Sequence, residues 1–429
     1  MSWPLGILVL LALMLAGVPI AFAMTIVGVG GTVLIIGVEP TLSLLAQTWF
    51  DNSRNYSLSV LPLFLMMGNF VMQSGVAEEL YASANAWLRH RRGGLAMATV
   101  VACGGFSSVC GSSLATAATM TKIALPSMRR YRYPDGLSSA SIAAGGTLGI
   151  LIPPSVILVF YGIITSQDIG KLFMAGVVPG LLGVVGYALA VRLSIRWRKI
   201  DLPRETKLPL GERVASLKGV TGALVLFVFV MGGIYAGVFT VTEAAGCGAA
   251  GALLLTALRG RLKARETFLT LFDTAKMTAV MFFILFGALT FNNFVNLSGM
   301  TSDLRLGLEW LGGNPFVVIL AIFGIYLVLG CVLESLSMLV LTVPIFYPVA
   351  QAAGFDLIWF GIFVVVATEI SYITPPVGMN AFVLKSVVPG LRIGTVFRGL
   401  VPFVAMDVVR IALLVAFPAL ALFLPSMMG

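Results

Sequence analysis

Apolar blocks of roughly 20 residues, the length that crosses the hydrocarbon core of a bilayer as a helix, recur along this chain from its first residues to its last. Only 10% of the 429 residues are charged, against about a quarter in soluble domains, so a water-soluble fold is excluded. The longest polar stretch, from about Arg196 to Lys218, is loop-sized and leaves no room for a separate soluble core. Residues 1–429 therefore read as a single integral membrane domain with the lipid bilayer as its solvent. Met1-Ser2-Trp3 supplies no basic segment ahead of the first apolar run, which reads as a membrane segment rather than a cleaved signal.

In a soluble protein the net charge of +9 would suggest nucleic acid; here its placement argues against that partner. Of the 27 Lys and Arg residues, 22 fall in five short loops: Arg89–Arg92, Arg129–Arg132, Arg192–Lys218, Arg259–Lys276 and Lys385–Arg398. The positive-inside rule puts all five loops in the cytoplasm. The apolar segments then thread as 58–87, 139–165, 172–195, 219–238, 241–258, 274–297, 357–385 and 400–425. The first 37 residues allow either two helices or one long helix broken near Pro19. The four cysteines, all in apolar stretches without metal-like spacing, read as small buried residues.

Two stretches resist simple crossing. Residues 93–128 carry one charge, Lys122, and have arginine clusters at both ends. As one helix they would measure about 54 Å, far beyond a core of roughly 30 Å, so the chain must turn back, near Ser107–Ser113. Residues 314–353 behave alike around Glu334, but their acidic flanks predict a hairpin opening from the opposite face. Pro-Pro occurs twice, at Pro153-Pro154 and Pro375-Pro376, each inside an otherwise apolar helix. Pro126 precedes the first pair by 27 residues and Pro348 precedes the second by 27, an offset of 222 in both cases. The pattern predicts an all-α polytopic membrane protein built from inverted repeats, with two re-entrant helical hairpins and two broken helices.

A proline within a helix frees a backbone carbonyl one turn earlier, and in a membrane freed groups are tolerated where they line a cavity or meet a partner. Carbonyls from Gly149 to Pro153, with oxygens of the turn from Ser107 through Cys110, Gly111 and Ser112, suit a hard cation such as sodium. Ser371 to Val377 with Gly330 to Ser335 would form a second cage. The half-helix N-termini beyond each break aim positive dipole ends at the midplane, and Ser113, Thr116, Ser155, Ser337 and Asn380 are placed to contact an anion there. Pro-Pro kinks and intramembrane serines also serve plain packing.

The isolated charges allow two readings each. Glu334 and Glu369 could carry a proton or help fix a sodium site, or act as structural acceptors. Lys122 could attract an anion or snorkel. Asp407 and Arg410, three apart, are expected to pair, and His90 to be a solvated loop residue. There is no phosphate-binding Gly-Lys-Ser/Thr loop, and one histidine cannot make a paired-His zinc site, so the chain does not read as an ATPase or an enzyme; the energy source should be an ion gradient, with no cofactor.

The stretches GFSSVCGSSLATAATMTKIALPSM, GGTLGILIPPSVILVFYG, LFMAGVVPGLLG and LESLSMLVLTVPIFYPVAQAAGFD followed by EISYITPPVGMNAFV resemble the large membrane subunit of the tripartite ATP-independent periplasmic (TRAP) transporters, in order over roughly residues 60–405. The resemblance implies a multi-pass protein of the bacterial inner membrane that imports small carboxylates with sodium by an elevator motion. Residues 93–165 and 301–385 would form the transport unit, 1–92 and 166–300 scaffold helices and loops, and 386–429 a C-terminal helix. It also implies a small four-helix membrane subunit and a periplasmic solute-binding protein as partners. Carried over by residue, one sodium site falls on Ser107, Cys110, Gly149, Ile152 and Pro153 and the other on Gly330, Ser371, Thr374 and Val377, Cys110 and Ser371 offering mainly backbone oxygens. Two alternatives are a self-sufficient sodium or proton symporter and a scaffold subunit that transports nothing.

Overall fold

The computed structural model describes residues 2–202, 205–310, 314–331 and 333–428. Among these there is no strand, and seven helices are long and apolar enough to cross a membrane. Outward-facing apolar side chains such as Val225, Val228, Phe229 and Phe283, each about half exposed or more, would be costly against water but fit a hydrocarbon solvent.

The first 37 residues form two helices, α1 (Trp3–Leu15) and α2 (Ile20–Ile36). Gly17 takes a left-handed conformation between them, ahead of Pro19. A helix not anticipated from the apolar pattern, α3 (Val38–Ser53), follows; its mixed composition, with Glu39 and Asp51, hid it among the loops. The expected span 58–87 is two helices, α4 (Val60–Gln73) and α5 (Val76–Leu88). The break is at Gly75, whose φ of 75° a side chain would resist.

Next come α6 (Gly94–Cys110), α7 (Ser113–Arg130), α8 (Asp135–Thr147), α9 (Val156–Thr165) and α10 (Ile169–Trp197). Then α11 (Leu210–Tyr235), α12 (Val241–Leu258), α13 (Ala264–Leu297) and α14 (Met300–Trp310) lead to the second motif. It comprises α15 (Pro315–Leu329), α16 (Ser335–Ala352), α17 (Leu357–Ile373) and α18 (Met379–Val387). The expected final span is α19 (Ile393–Ala416) and α20 (Ala419–Ser426), parted at Phe417-Pro418.

Each of the two stretches is divided into a pair of helices that pack on each other, α6 with α7 and α15 with α16. Both Pro-Pro pairs interrupt their helices, between α8 and α9 and between α17 and α18. The halves then exchange partners: α9, beyond the first break, packs on α16, while α18, beyond the second, packs on α7. This reciprocity is what a two-fold repeat requires. Elsewhere α2 lies along α13, α4 along α12 and α5 along α11, whereas α10 packs on α6, α19 and α20.

Candidate functional site

The first break begins where α8 tightens into a 3-10 turn over Leu148–Ile150. It ends at Ser155, whose hydroxyl donates to the Ile150 carbonyl and accepts from the Leu158 N–H at 3.4 Å, capping α9. Opposite it, Gly111 closes α6 in a left-handed conformation (φ 65°) and the Ser112 hydroxyl caps α7 by accepting from the Ala115 N–H. Backbone meets backbone here: a Cβ on Gly149 would stand 2.9 Å from the Ser112 carbonyl oxygen, and one on Gly111 3.1 Å from that of Pro154. The structure thus brings Cys110, Gly111 and Ser112 to the break containing Gly149 and Pro153. The Ile152 side chain turns away onto Gly180 of α10. Two side-chain oxygens of the hairpin, Ser107 Oγ and Thr116 Oγ1, are buried without a hydrogen-bond partner and keep their lone pairs for a further contact.

The second break is built alike. Thr374 leaves the helical conformation and its hydroxyl donates to Ile370 O at 2.6 Å. Gly378 then takes a φ of 61° to start α18. Gly330 at the facing hairpin lies so close that a Cβ would overlap the Ser371 side chain. The Ser371 hydroxyl is itself bound to Thr368 O at 2.7 Å. Pro375 and Pro376 are exposed and Val377 half-buried, whereas Pro153 and Pro154 are buried.

Between the hairpins lies a cavity of about 340 Å³. Three helix N-termini reach it: α7 at Ser113–Ala115, α9 at Val156 and Ile157, and α16 at Ser335 and Leu336. Their partial positive charges favour an anion. Glu334, the N-cap of α16, is the one acid in the lining among the described residues; it accepts from the Ser337 N–H at 3.3 Å and from the Ser335 hydroxyl at 3.2 Å. The remaining wall is Leu65 of α4 and Met277 and Met281 of α13, for which neither sequence motif gave a signal.

Of the predicted anion ligands, Ser113 lines this cavity and the others do not. Asn380 stands behind Ser113, with its amide donating to Ser113 Oγ at 2.9 Å and to Ala143 O at 2.8 Å. Ser155 caps α9, Ser337 is tied to Glu334, and Thr116 is buried in the hairpin. Lys122 is exposed.

Glu369 belongs to a different assembly. Its carboxylate accepts from Arg410 Nη2, which also lies 2.9 Å from Asp407 Oδ1, so the expected Asp407–Arg410 pair is part of a larger group. Tyr187 of α10 donates to Asp407 Oδ2 at 2.7 Å and lies 3.0 Å from the Thr147 hydroxyl of α8. The chain of polar contacts joins α8, α10, α19 and α17, and Glu369 acts in it as the partner of Arg410.

Two interrupted helices pressed against two hairpin tips, around a small cavity in a bundle sheathed with apolar side chains, define a multi-pass membrane transport permease. The family described as "Tripartite ATP-independent periplasmic transporter, DctM component" matches residues 7–420, and the chain belongs to it. Over 404 residues, 94% of each chain, it is 37% identical to the C4-dicarboxylate TRAP transporter large permease protein DctM of Pseudomonas aeruginosa. It is 32% identical over 421 residues to the sialic acid TRAP transporter large permease protein SiaM of Vibrio cholerae, covering 97% of each. The YdaH transporter of Alcanivorax borkumensis shares the fold, with a TM-score of 0.65 at 14% identity over 89% of this chain and 88% of that one.

Proposed function

We propose that this permease is the inner-membrane translocating subunit of a sodium-coupled importer of small carboxylates. In this reading a periplasmic solute-binding protein delivers the solute, and a separate small membrane subunit of four helices completes the assembly. The observation that carries the reading is the cavity between the hairpins. Three helix N-termini attract an anion, yet the Glu334 carboxylate repels one. At about 5 Å and an effective dielectric constant of 20, two like charges repel by roughly 3 kcal/mol. A cation held beside each hairpin removes that penalty, so solute and sodium bind together. The donors would be Ser107 with the backbone of Cys110–Ser112 and Gly149–Pro153 on one side, and Gly330, Ser371, Thr374 and Val377 on the other.

The packing also supports an elevator. The hairpins, broken helices and α19 pack on one another, and α2, α4, α12 and α13 pack among themselves, while α5 and α13 also meet the hairpins at α6 and α16. Helix α10, which the sequence reading put with the scaffold, packs along α6 and α19 and is grouped with the moving body. Dicarboxylates and sialic acid, the solutes in the names of the two relatives, are the first substrates to try.

The test compares thermal unfolding of the purified chain in sodium and in potassium at equal ionic strength. Sodium at a hundred times its Kd should stabilise the fold by about 2.7 kcal/mol, and Ser112→Ala and Thr374→Ala should each shrink that gain. Identical melting in the two salts, together with uptake by the reconstituted assembly that ignores sodium, would overturn the coupling. Uptake by this chain alone would favour a self-sufficient symporter.

A further inference from the structure

Away from the hairpins, the segment joining α5 to α6 meets the C-terminal end of α10 and lines an open chamber of about 840 Å³. Its wall carries Arg91, Arg92, Arg192, Arg196 and Lys199 against one acid, Asp201. Among the described residues none of these five cations is in an ion pair; the neighbouring Arg89 is the one paired, with Glu205. Five like charges around one chamber repel one another and raise its affinity for counter-charge.

A second pocket, of about 190 Å³, shares Arg91 and Arg192 with the chamber and continues between α6 and α10 along apolar side chains. Val101, Val185 and Leu189 in its wall are 40%, 57% and 42% exposed, so the groove opens to the outside of the bundle, where the hydrocarbon lies. On α10, Val185, Leu189, Arg192 and Arg196 recur every three or four residues and form one stripe, and Lys199 follows just past the helix end. That stripe changes from apolar to basic near the helix end. The chamber belongs to the basic loops that the charge distribution puts in the cytoplasm, on the side of the anionic leaflet.

We propose that chamber and groove together bind an anionic phospholipid, the phosphate seated among Arg91, Arg192 and Arg196 and an acyl chain lying along Val185 and Leu189. A soluble phosphate would satisfy the cations but leave the outward apolar groove unused; a neutral lipid would do the reverse. The site spans the start of α6, the first arm of a hairpin, and the end of α10, so the lipid bridges two helices at their cytoplasmic ends.

To test this, the delipidated full chain is titrated with spin-labelled phosphatidylglycerol and with spin-labelled phosphatidylcholine, using glycerol 3-phosphate as a soluble competitor. Phosphatidylglycerol should be preferred. Each surface Lys or Arg contributes roughly five-fold to binding an anionic membrane, so the double variant Arg91→Gln with Arg192→Gln should bind phosphatidylglycerol about thirty-fold more weakly. Ala188→Trp, which fills the groove without altering charge, should weaken the lipid and leave glycerol 3-phosphate unaffected, while Arg130→Gln in another basic loop should change neither. Unaltered phosphatidylglycerol affinity in the double variant, with its melting temperature retained, would overturn the site. Equal binding of glycerol 3-phosphate and lipid, insensitive to Ala188→Trp, would reassign it to a soluble anion.

Discussion

Replacing Arg410 by Met should unfold this protein far more readily than adding two further changes to it. Arg410, Asp407 and Glu369 are 4%, 1% and 0% exposed, and one guanidinium serves both carboxylates. At the 2.9 Å between Arg410 Nη2 and Asp407 Oδ1, an effective dielectric constant of 20 gives an attraction of about 6 kcal/mol. Removing the cation forfeits this and leaves two carboxylates facing each other; protonation of one of them recovers part. The expected loss is about 3–5 kcal/mol, the range for breaking a buried pair from one side. Adding Glu369→Gln and Asp407→Asn to Arg410→Met removes the buried charge altogether and keeps an acceptor for the Tyr187 hydroxyl, so most of the loss should return. Equilibrium unfolding in mixed micelles, followed by helical circular dichroism, measures both steps. A loss below about 1 kcal/mol for Arg410→Met, or a triple variant no more stable than the single one, would refute the reasoning.

Other outcomes follow from close contacts and charge. A Cβ at Gly183 would strike the Arg410 guanidinium and Leu148, so Gly183→Val should cost about 1–3 kcal/mol by overpacking, read as a lower melting temperature. Gly330→Ala would push the second hairpin off Ser371 and should abolish uptake by the reconstituted assembly; Gly330→Ala with Ser371→Gly frees the space and should restore part of it. Failure of that rescue would mean the contact is not what limits transport. The chain has one histidine, His90, whose pKa is lowered from the usual 6.5 by burial and by Arg91. The neutral form is therefore favoured at pH 7 more than in a free imidazole. Anionic lipid bound in the adjoining chamber favours the protonated form and should raise this pKa, which NMR of a chain free of tag histidines reads directly; an unmoved titration would count against the lipid.

The features legible in the sequence were those with a local cause. Pro153-Pro154 and Pro375-Pro376 announce their breaks because proline cannot donate a hydrogen bond, and their matched distances from Pro126 and Pro348 made the repeat visible. Excess length between arginine clusters forced the first hairpin. What was missed depends on neighbours remote in sequence. Glu369 meets Arg410 41 residues away and Asn380 meets Ser113 267 residues away, and no spacing rule reaches so far. Leu65, Met277 and Met281 lie in helices whose composition is apolar on several faces, so nothing singled out the side that faces the cavity. Helix α3 was passed over because its mixed residues match no spanning pattern, and the break at Gly75 because a lone glycine is common inside membrane helices.

The Leu65, Met277 and Met281 wall of the cavity has a mechanical consequence. Among the described residues, every hydrogen-bonding side chain around the cavity comes from the hairpins and broken helices, while the side chains of the opposite surface offer methyl groups, methylenes and thioether sulfur. Under the proposed transport role, a passenger gripped from one side would be released by the other without any directional bond to break. Thioethers are polarisable and adapt their rotamers to whatever passes, so the contact resembles a greased bearing more than a latch. Putting a serine or an asparagine at Met277 or Met281 would add friction, and the turnover rate, rather than the affinity for solute, is where that friction would register.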